Sequence, residues 1–152
     1  GQGGEPRVNV YDAVTGATVG SFMAYEAGFT GGVTVAVGDV DGDGVDDIVT
    51  GTGNTGAPRV RVFSGATLGA AAQPIILADF FAYEATFTGG VNVGVGDVNG
   101  DGFDDLIIGS GRGGAPRVRV LSGVDLTSAV QTTLFDFFAY ESTFRGGVNV
   151  AV

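Results

Sequence analysis

The sequence has no cysteine, no histidine and no tryptophan, and its seven basic residues are all arginines. No disulfide, no cysteine nucleophile and no zinc site built from Cys or His is therefore possible. A Ser-His-Asp triad is excluded for the same reason. There is no run of about 18 apolar residues, the length a membrane-spanning helix needs. No signal peptide is visible, and the chain starts in mid-motif. Charge is scarce and one-sided: 16% of residues are charged and the net charge is −10. Nucleic acid would be repelled, and no basic patch is present to bind phosphates. What remains is oxygen chemistry. Carboxylates, amides and backbone carbonyls suit hard cations such as Ca²⁺.

What is abundant is glycine, 29 of 152 residues, beside a 44% hydrophobic content. That is enough apolar surface and length for one ordinary domain with a core. The glycines follow no collagen-like period, so they read as turns between many short strands. The chain repeats itself. Gly-Gly-Val occurs at Gly31–Val33, Gly89–Val91 and Gly146–Val148. Ala-Tyr-Glu ends at Glu26, Glu84 and Glu141, and Pro-Arg-Val begins at Pro6, Pro58 and Pro116. The step is roughly 58 residues, a period typical of repeat architectures.

Within one unit every local signal is β. Val33–Val37, Val91–Val95 and Val148–Val152 alternate with period two and are rich in β-branched valine. Asp47–Thr50 and Asp105–Ile108 are short apolar runs, giving a second strand. Arg59–Phe63 and Arg117–Leu121 alternate again, and Ala78–Tyr83 and Phe135–Tyr140 are aromatic-rich. The expected fold is all-β: four-stranded antiparallel blades of β-propeller type. The small face of the first strand (Thr34, Ala36; Asn92, Gly94; Asn149, Ala151) is expected to line a central channel. Its valine face would then pack between blades.

The sharpest motif is Asp39-Val40-Asp41-Gly42-Asp43-Gly44-Val45-Asp46-Asp47, which returns at Asp97–Asp105. Carboxylates fall at loop positions 1, 3, 5 and 9, with glycine at the sharp turn of position 6. Alternate residues of a tight loop point inward, and Ca²⁺ takes six to eight oxygens at about 2.3–2.6 Å. The spacing matches the first nine positions of an EF-hand, but position 12 is Thr50 or Ile108, so the loop opens into a strand. The expected ligands are Asp39, Asp41, Asp43, the carbonyl of Val45 and Asp47. In the second copy they are Asp97, Asn99, Asp101, the carbonyl of Phe103 and Asp105. Asp46 and Asp104 are expected to face solvent. An acidic hairpin turn without metal is the plainer alternative for one copy. Two copies at matching spacing favour two Ca²⁺ sites, since clustered carboxylates repel without a cation.

Other patterns are weaker. Gly51–Gly56 and Gly109–Gly114 match the glycine spacing of a dinucleotide loop, but a strand follows where that motif needs a helix. Arg7, Arg59 and Arg117 recur at one repeat position, as do Glu26, Glu84 and Glu141. They are expected to make Arg–Glu or Arg–carbonyl contacts between strands of a blade rather than a ligand-binding ring. Phe80, Phe81, Tyr83 and their copies Phe137, Phe138 and Tyr140 are expected in the core between blades rather than as a sugar-stacking surface.

Gly38–Val49 with Gly56-Ala57-Pro58 and Val60–Phe63, and their second copies at Gly96–Ile108, Gly114–Pro116 and Val118–Leu121, resemble FG-GAP repeats. These form the integrin α-chain propeller and occur in certain fungal lectins and many secreted bacterial proteins. The resemblance covers nearly the whole chain and implies calcium held in a blade hairpin by the ligands already named. It implies extracellular or cell-surface binding and adhesion to protein or glycan, not catalysis. The units are expected at 1–30 (strands three and four), 31–88, 89–145 and 146–152 (a first strand). That is about two and a half blades, too few to close a propeller, which needs about four. Three arrangements are open: a piece of a longer propeller, completion by other copies of itself, or a structural filament of stacked blades.

Overall fold

The computed structural model describes residues 3–152, so the first two residues of the expected 1–30 unit lie outside it. Strands β1 (Arg7–Tyr11) and β2 (Thr18–Met23) pair antiparallel. Strands β3 (Val33–Gly38), β4 (Asp47–Thr52), β5 (Arg59–Phe63) and β6 (Ile76–Phe81) form a four-stranded antiparallel sheet in chain order. A second such sheet is built from β7 (Val91–Gly96), β8 (Asp105–Ser110), β9 (Arg117–Leu121) and β10 (Thr133–Phe138). The only helical pieces among the described residues are single 3₁₀ turns at Gly65–Thr67 and Gly123–Asp125. The protein is all-β, built of propeller-type blades, two complete and one partial.

The pattern of burial explains why these residues form these strands. Every residue of β4 and β8 is buried. A strand covered on both faces needs adjacent apolar residues, which Ile48-Val49 and Leu106–Ile108 supply. The buried polar residues around them, such as Asp47, Thr50, Asp105 and Ser110, are hydrogen-bonded. By contrast β5 and β9 alternate, with Arg59, Arg61, Arg117 and Arg119 half-buried and the valines between them buried. The core lies between blades rather than within them. Val49, Val60 and Val62 of one sheet pack with Val91, Val93, Leu106 and Ile108 of the next. Phe22 of the partial blade meets Phe63 of its neighbour at 4.7 Å between ring centres.

Two strand expectations are corrected. The fourth strands run Ile76–Phe81 and Thr133–Phe138, not Ala78–Tyr83 and Phe135–Tyr140. Their ladders end at Pro58 and Pro116, which have no N–H to continue them; the last contacts are Ala82 and Ala139 N–H donating to the Pro58 and Pro116 carbonyls, each at 2.8 Å. Val148–Val152 enters no ladder. It lies against β7 and β8, with Val148 N–H donating to the Ser110 carbonyl at 2.9 Å and Asn92 Nδ2 donating to the Val148 carbonyl at 2.7 Å. Thr34, Asn92 and Asn149 of the small face line an open cavity between the repeats, as expected, while part of that face also meets a neighbour. Thr34 Oγ1 donates to the Val91 carbonyl at 2.9 Å, and Ala36 packs on the shared core.

Each blade is locked to the next by one tyrosine. Tyr25 leaves the partial blade and puts its hydroxyl 3.0 Å from the Thr50 carbonyl and 3.1 Å from the Arg59 carbonyl. Tyr83 does the same at Ile108 (2.7 Å) and Arg117 (3.0 Å). Tyr83 is buried, as expected, and so is Tyr25; Phe80 packs on the core, but Phe81, Phe137, Phe138 and Tyr140, expected there too, are exposed. Burial raises the Tyr25 phenol to about 12, the hydrogen bond with Thr50 and the charges of Arg61 and Arg59 only partly opposing it. A pKa raised on folding gives stability that is full below the unfolded value near 10 and is lost as pH rises toward 12. Melting temperature should therefore fall between pH 10 and 12, and less steeply in Tyr25→Phe. That variant should also lose about 1–3 kcal/mol at neutral pH. An identical alkaline fall in the variant would show that Tyr25 does not set it.

Of the recurrent arginines and glutamates, Arg59 with Glu26 and Arg117 with Glu84 do pair, but across blades, while Arg7 pairs with Glu5 in its own unit. Glu26 of the partial blade receives Arg59 at 3.0 Å and Arg61 at 3.1 Å from β5, and Arg117 lies 3.8 Å from Glu84. Arg61 and Arg119 also donate to the carbonyls of Ala24 (2.8 Å) and Ala82 (2.6 Å) of the preceding blade. Within each blade the partner is an aspartate, Asp79 for Arg59 and Arg61 and Asp136 for Arg117 and Arg119. The ion pairs thus fasten neighbouring units, because β5 and β9 face the preceding blade's last turn.

Candidate metal centre

The registers of β3 with β4 and of β7 with β8 are the same: Gly38 faces Asp47, and Gly96 faces Asp105. Both Asp-rich segments are thereby held as the closing turns of equivalent hairpins. Gly42 and Gly44 take φ of +76° and +86°, and Gly100 and Gly102 take +80° and +89°. These left-handed turns are costly for any residue with a Cβ.

In the first turn the chain winds around Asp39. Its Oδ1 accepts N–H from Gly42 (2.8 Å) and Asp43 (3.1 Å), and its Oδ2 accepts N–H from Gly44 (2.9 Å). Asp41 Oδ1 accepts from Asp43 N–H (3.1 Å), and Asp43 Oδ1 from Val45 N–H (2.8 Å). As a result one carboxylate oxygen each from Asp39, Asp41 and Asp43 lie within 4.8 Å of one another. Two oxygens on one Ca²⁺ at 2.3–2.6 Å can be at most about 4.6–5.2 Å apart. The trio therefore has the chemistry and the convergence that a hard cation needs.

The second turn repeats the wiring. Asp97 accepts N–H from Gly100 (2.7 Å), Asp101 (3.2 Å) and Gly102 (2.9 Å). The Gly102 contact leads in holding the Asp97 carboxyl below its ordinary value. Asn99 Nδ2 donates to Asp101 Oδ2 at 2.8 Å, so the amide and its neighbouring carboxylate also converge.

Asp47 and Asp105 stand apart from these trios and are fully buried. Asp47 accepts N–H from Val40 (3.2 Å) and from Gly65 (3.0 Å) across the sheet. Asp105 accepts from Val98 (3.0 Å) and Gly123 (3.0 Å). Burial raises the Asp47 pKa, and the nearby charges of Asp41 and Asp43 add to the rise. Val45 and Phe103 occupy the seventh loop positions, Val45 exposed and Phe103 half-buried. Asp46 is exposed as expected, but Asp104 is not free in solvent. Its Oδ2 accepts the Asp39 N–H at 3.1 Å, because the two turns lie against one another.

Sequence reasoning missed Asp79, Asp136 and Asp104. The first two recur at one repeat position opposite paired arginines, a signal that was present. The glycine-rich segments join β4 to β5 and β8 to β9, and no helix follows them. Ser110 Oγ donates to the Ala115 carbonyl at 2.6 Å inside that hairpin, and Thr52 makes the equivalent bond to Ala57.

Antiparallel four-stranded blades, each carrying an Asp-Gly hairpin turn, the first with three converging carboxylates, define a propeller-type repeat protein. The FG-GAP repeat family model matches residues 31–66 and 89–127. The chain belongs to the FG-GAP repeat family, and both Asp-rich turns lie inside the matched stretches. No curated protein matches the chain. FG-GAP repeats occur in extracellular, adhesion-type propeller domains and often bind calcium. They are generally non-enzymatic binding or structural modules. No helix among the described residues is long and apolar enough to cross a membrane.

Proposed function

We propose that this protein is a calcium-stabilised, extracellular repeat module for binding or adhesion, with no catalytic role. The observation that carries this is the convergence of the Asp39, Asp41 and Asp43 carboxylates within 4.8 Å. One Ca²⁺ is held by these three, the Val45 carbonyl and Asp47. A second is held by Asp97, Asn99, Asp101, the Phe103 carbonyl and Asp105. The ions brace the hairpins and leave the faces of the blades to a protein or glycan partner. The repeat units are 1–30, 31–88, 89–145 and 146–152. Tyr140, the counterpart of buried Tyr25 and Tyr83, is 57% exposed. A further blade, from a longer propeller or from another copy, is the natural cover for it.

Calorimetric titration with calcium should find two ions per chain. Asp43→Ala and Asp101→Ala should each remove one ion, and the double variant both. Unchanged stoichiometry in the single variants would contradict the assignment.

A further inference from the structure

The two Asp-rich turns are in direct contact, and the contact has a direction. Asp104 sits at the eighth position of the second turn and reaches across to the first position of the preceding one. Its Oδ2 accepts the Asp39 N–H at 3.1 Å, and its own N–H donates to the Asp39 carbonyl at 3.3 Å. One residue earlier, the Phe103 ring lies against Gly42, so closely that a Cβ there would come within 2.6 Å of it. Gly38 leaves room for the same crossing: a Cβ on it would stand 2.5 Å from Asp104 Oδ2. So positions 7 and 8 of one turn grip positions 1 and 4 of the other. Asp46, the counterpart of Asp104, is exposed.

We infer that Asp104 couples the two calcium sites, so that occupancy of the second turn raises the affinity of the first. This rests on the calcium reading given above. Phe103, whose carbonyl is a ligand in that reading, and Asp104 are consecutive. Whatever fixes the Phe103 carbonyl also fixes the root of the Asp104 side chain. Asp104 in turn fixes the backbone of Asp39, around whose carboxylate the first turn is wound. A site whose ligands are already ordered binds with a smaller entropic cost. Asp104 is thus a positioning residue, acting through Asp39 rather than on the ion. Coupling between sites is reciprocal, and its usual range is about 5–150-fold in affinity.

A double-mutant cycle on the whole chain tests this, read by calcium calorimetry with circular dichroism as the check on folding. Asp101→Ala empties the second turn. In the wild-type background it should weaken binding at the first turn by about 5-fold or more. In an Asp104→Ala background the same substitution should change that affinity by less than about 2-fold. Asp104→Asn, which keeps an oxygen for the Asp39 N–H, should retain the coupling. Two ions that bind independently in the wild-type chain would overturn the coupling and leave the calcium sites standing. An equal effect of Asp101→Ala in both backgrounds, or loss of coupling in Asp104→Asn as complete as in Asp104→Ala, would also overturn it. If the wild-type chain binds no calcium, the calcium reading and the coupling fall together.

Discussion

Adding 1 mM calcium to chelator-stripped protein should raise its melting temperature by about 10–20 °C. The size follows from linkage. A ligand that binds only the folded state stabilises it by RT ln(1 + [L]/Kd). With a dissociation constant of roughly 10 µM, between sensor and extracellular sites, each ion contributes about 2.7 kcal/mol and two contribute about 5. For a chain of this length, 1 kcal/mol moves the midpoint by about 2–4 °C. The electrostatics point the same way. The net charge is −10, and in the stripped protein Asp39, Asp41 and Asp43 keep three oxygens within 4.8 Å with no positive side chain among them. Magnesium should do less. It demands near-ideal octahedral geometry at about 2.0–2.1 Å and gives up its waters reluctantly, which a cage built from one short turn does not favour. Differential scanning fluorimetry in EGTA, calcium and magnesium reads all three states. A midpoint that calcium leaves where EGTA put it would remove the metal from the account of this fold.

What the sequence shows plainly is what short-range chemistry decides. Val33–Val37 alternates, so β3 forms; Ile48-Val49 is apolar on successive positions, so β4 is buried on both faces. The Asp-Gly turns are legible because their wiring is within nine residues: Asp39 binds the backbone of Gly42, Asp43 and Gly44. What stays hidden is what one blade does to the next. Arg59 and Glu26 are separated by a turn, a complete hairpin and a blade boundary, and their pairing needs the packed structure. The recurrence of both residues was visible, but whether the contact lay within a blade or between blades was not. Asp104 shows the same limit more sharply. Read within its own loop, it is one acidic residue too many beside Asp105. Only the contact between successive turns gives it a partner, the N–H of Asp39. The fourth strands end two residues before their aromatic run does, because Pro58 and Pro116 end the ladder there.

Asp47→Ala should destabilise the protein by about 3–5 kcal/mol even in EGTA, before any calcium is considered. Asp47 is fully buried and is the acceptor for two backbone donors, Val40 N–H and Gly65 N–H. Removing it strands both, and a buried unsatisfied donor costs about 1–3 kcal/mol. The missing side chain leaves a small void as well. Gly65 also lies close to the Asp46 carbonyl, with no room for a Cβ between them. Asp43→Ala is the contrast. Asp43 is exposed and accepts only the Val45 N–H. Its loss should cost less than about 1 kcal/mol in EGTA and should show its main effect as the lost calcium increment of about 2.7 kcal/mol. Urea unfolding of both variants, with and without calcium, separates the two roles. The ninth position is then a brace that also offers a ligand, and the fifth position is a ligand alone. Equal stability of Asp47→Ala and wild type in EGTA would refute the bracing role and leave Asp47 as a ligand only. Asp105→Ala should behave as Asp47→Ala does, since Asp105 holds Val98 and Gly123 by the same two bonds. A repeat protein that depends on metal would in that case carry, in each hairpin, one carboxylate that keeps the turn's shape when the metal is gone.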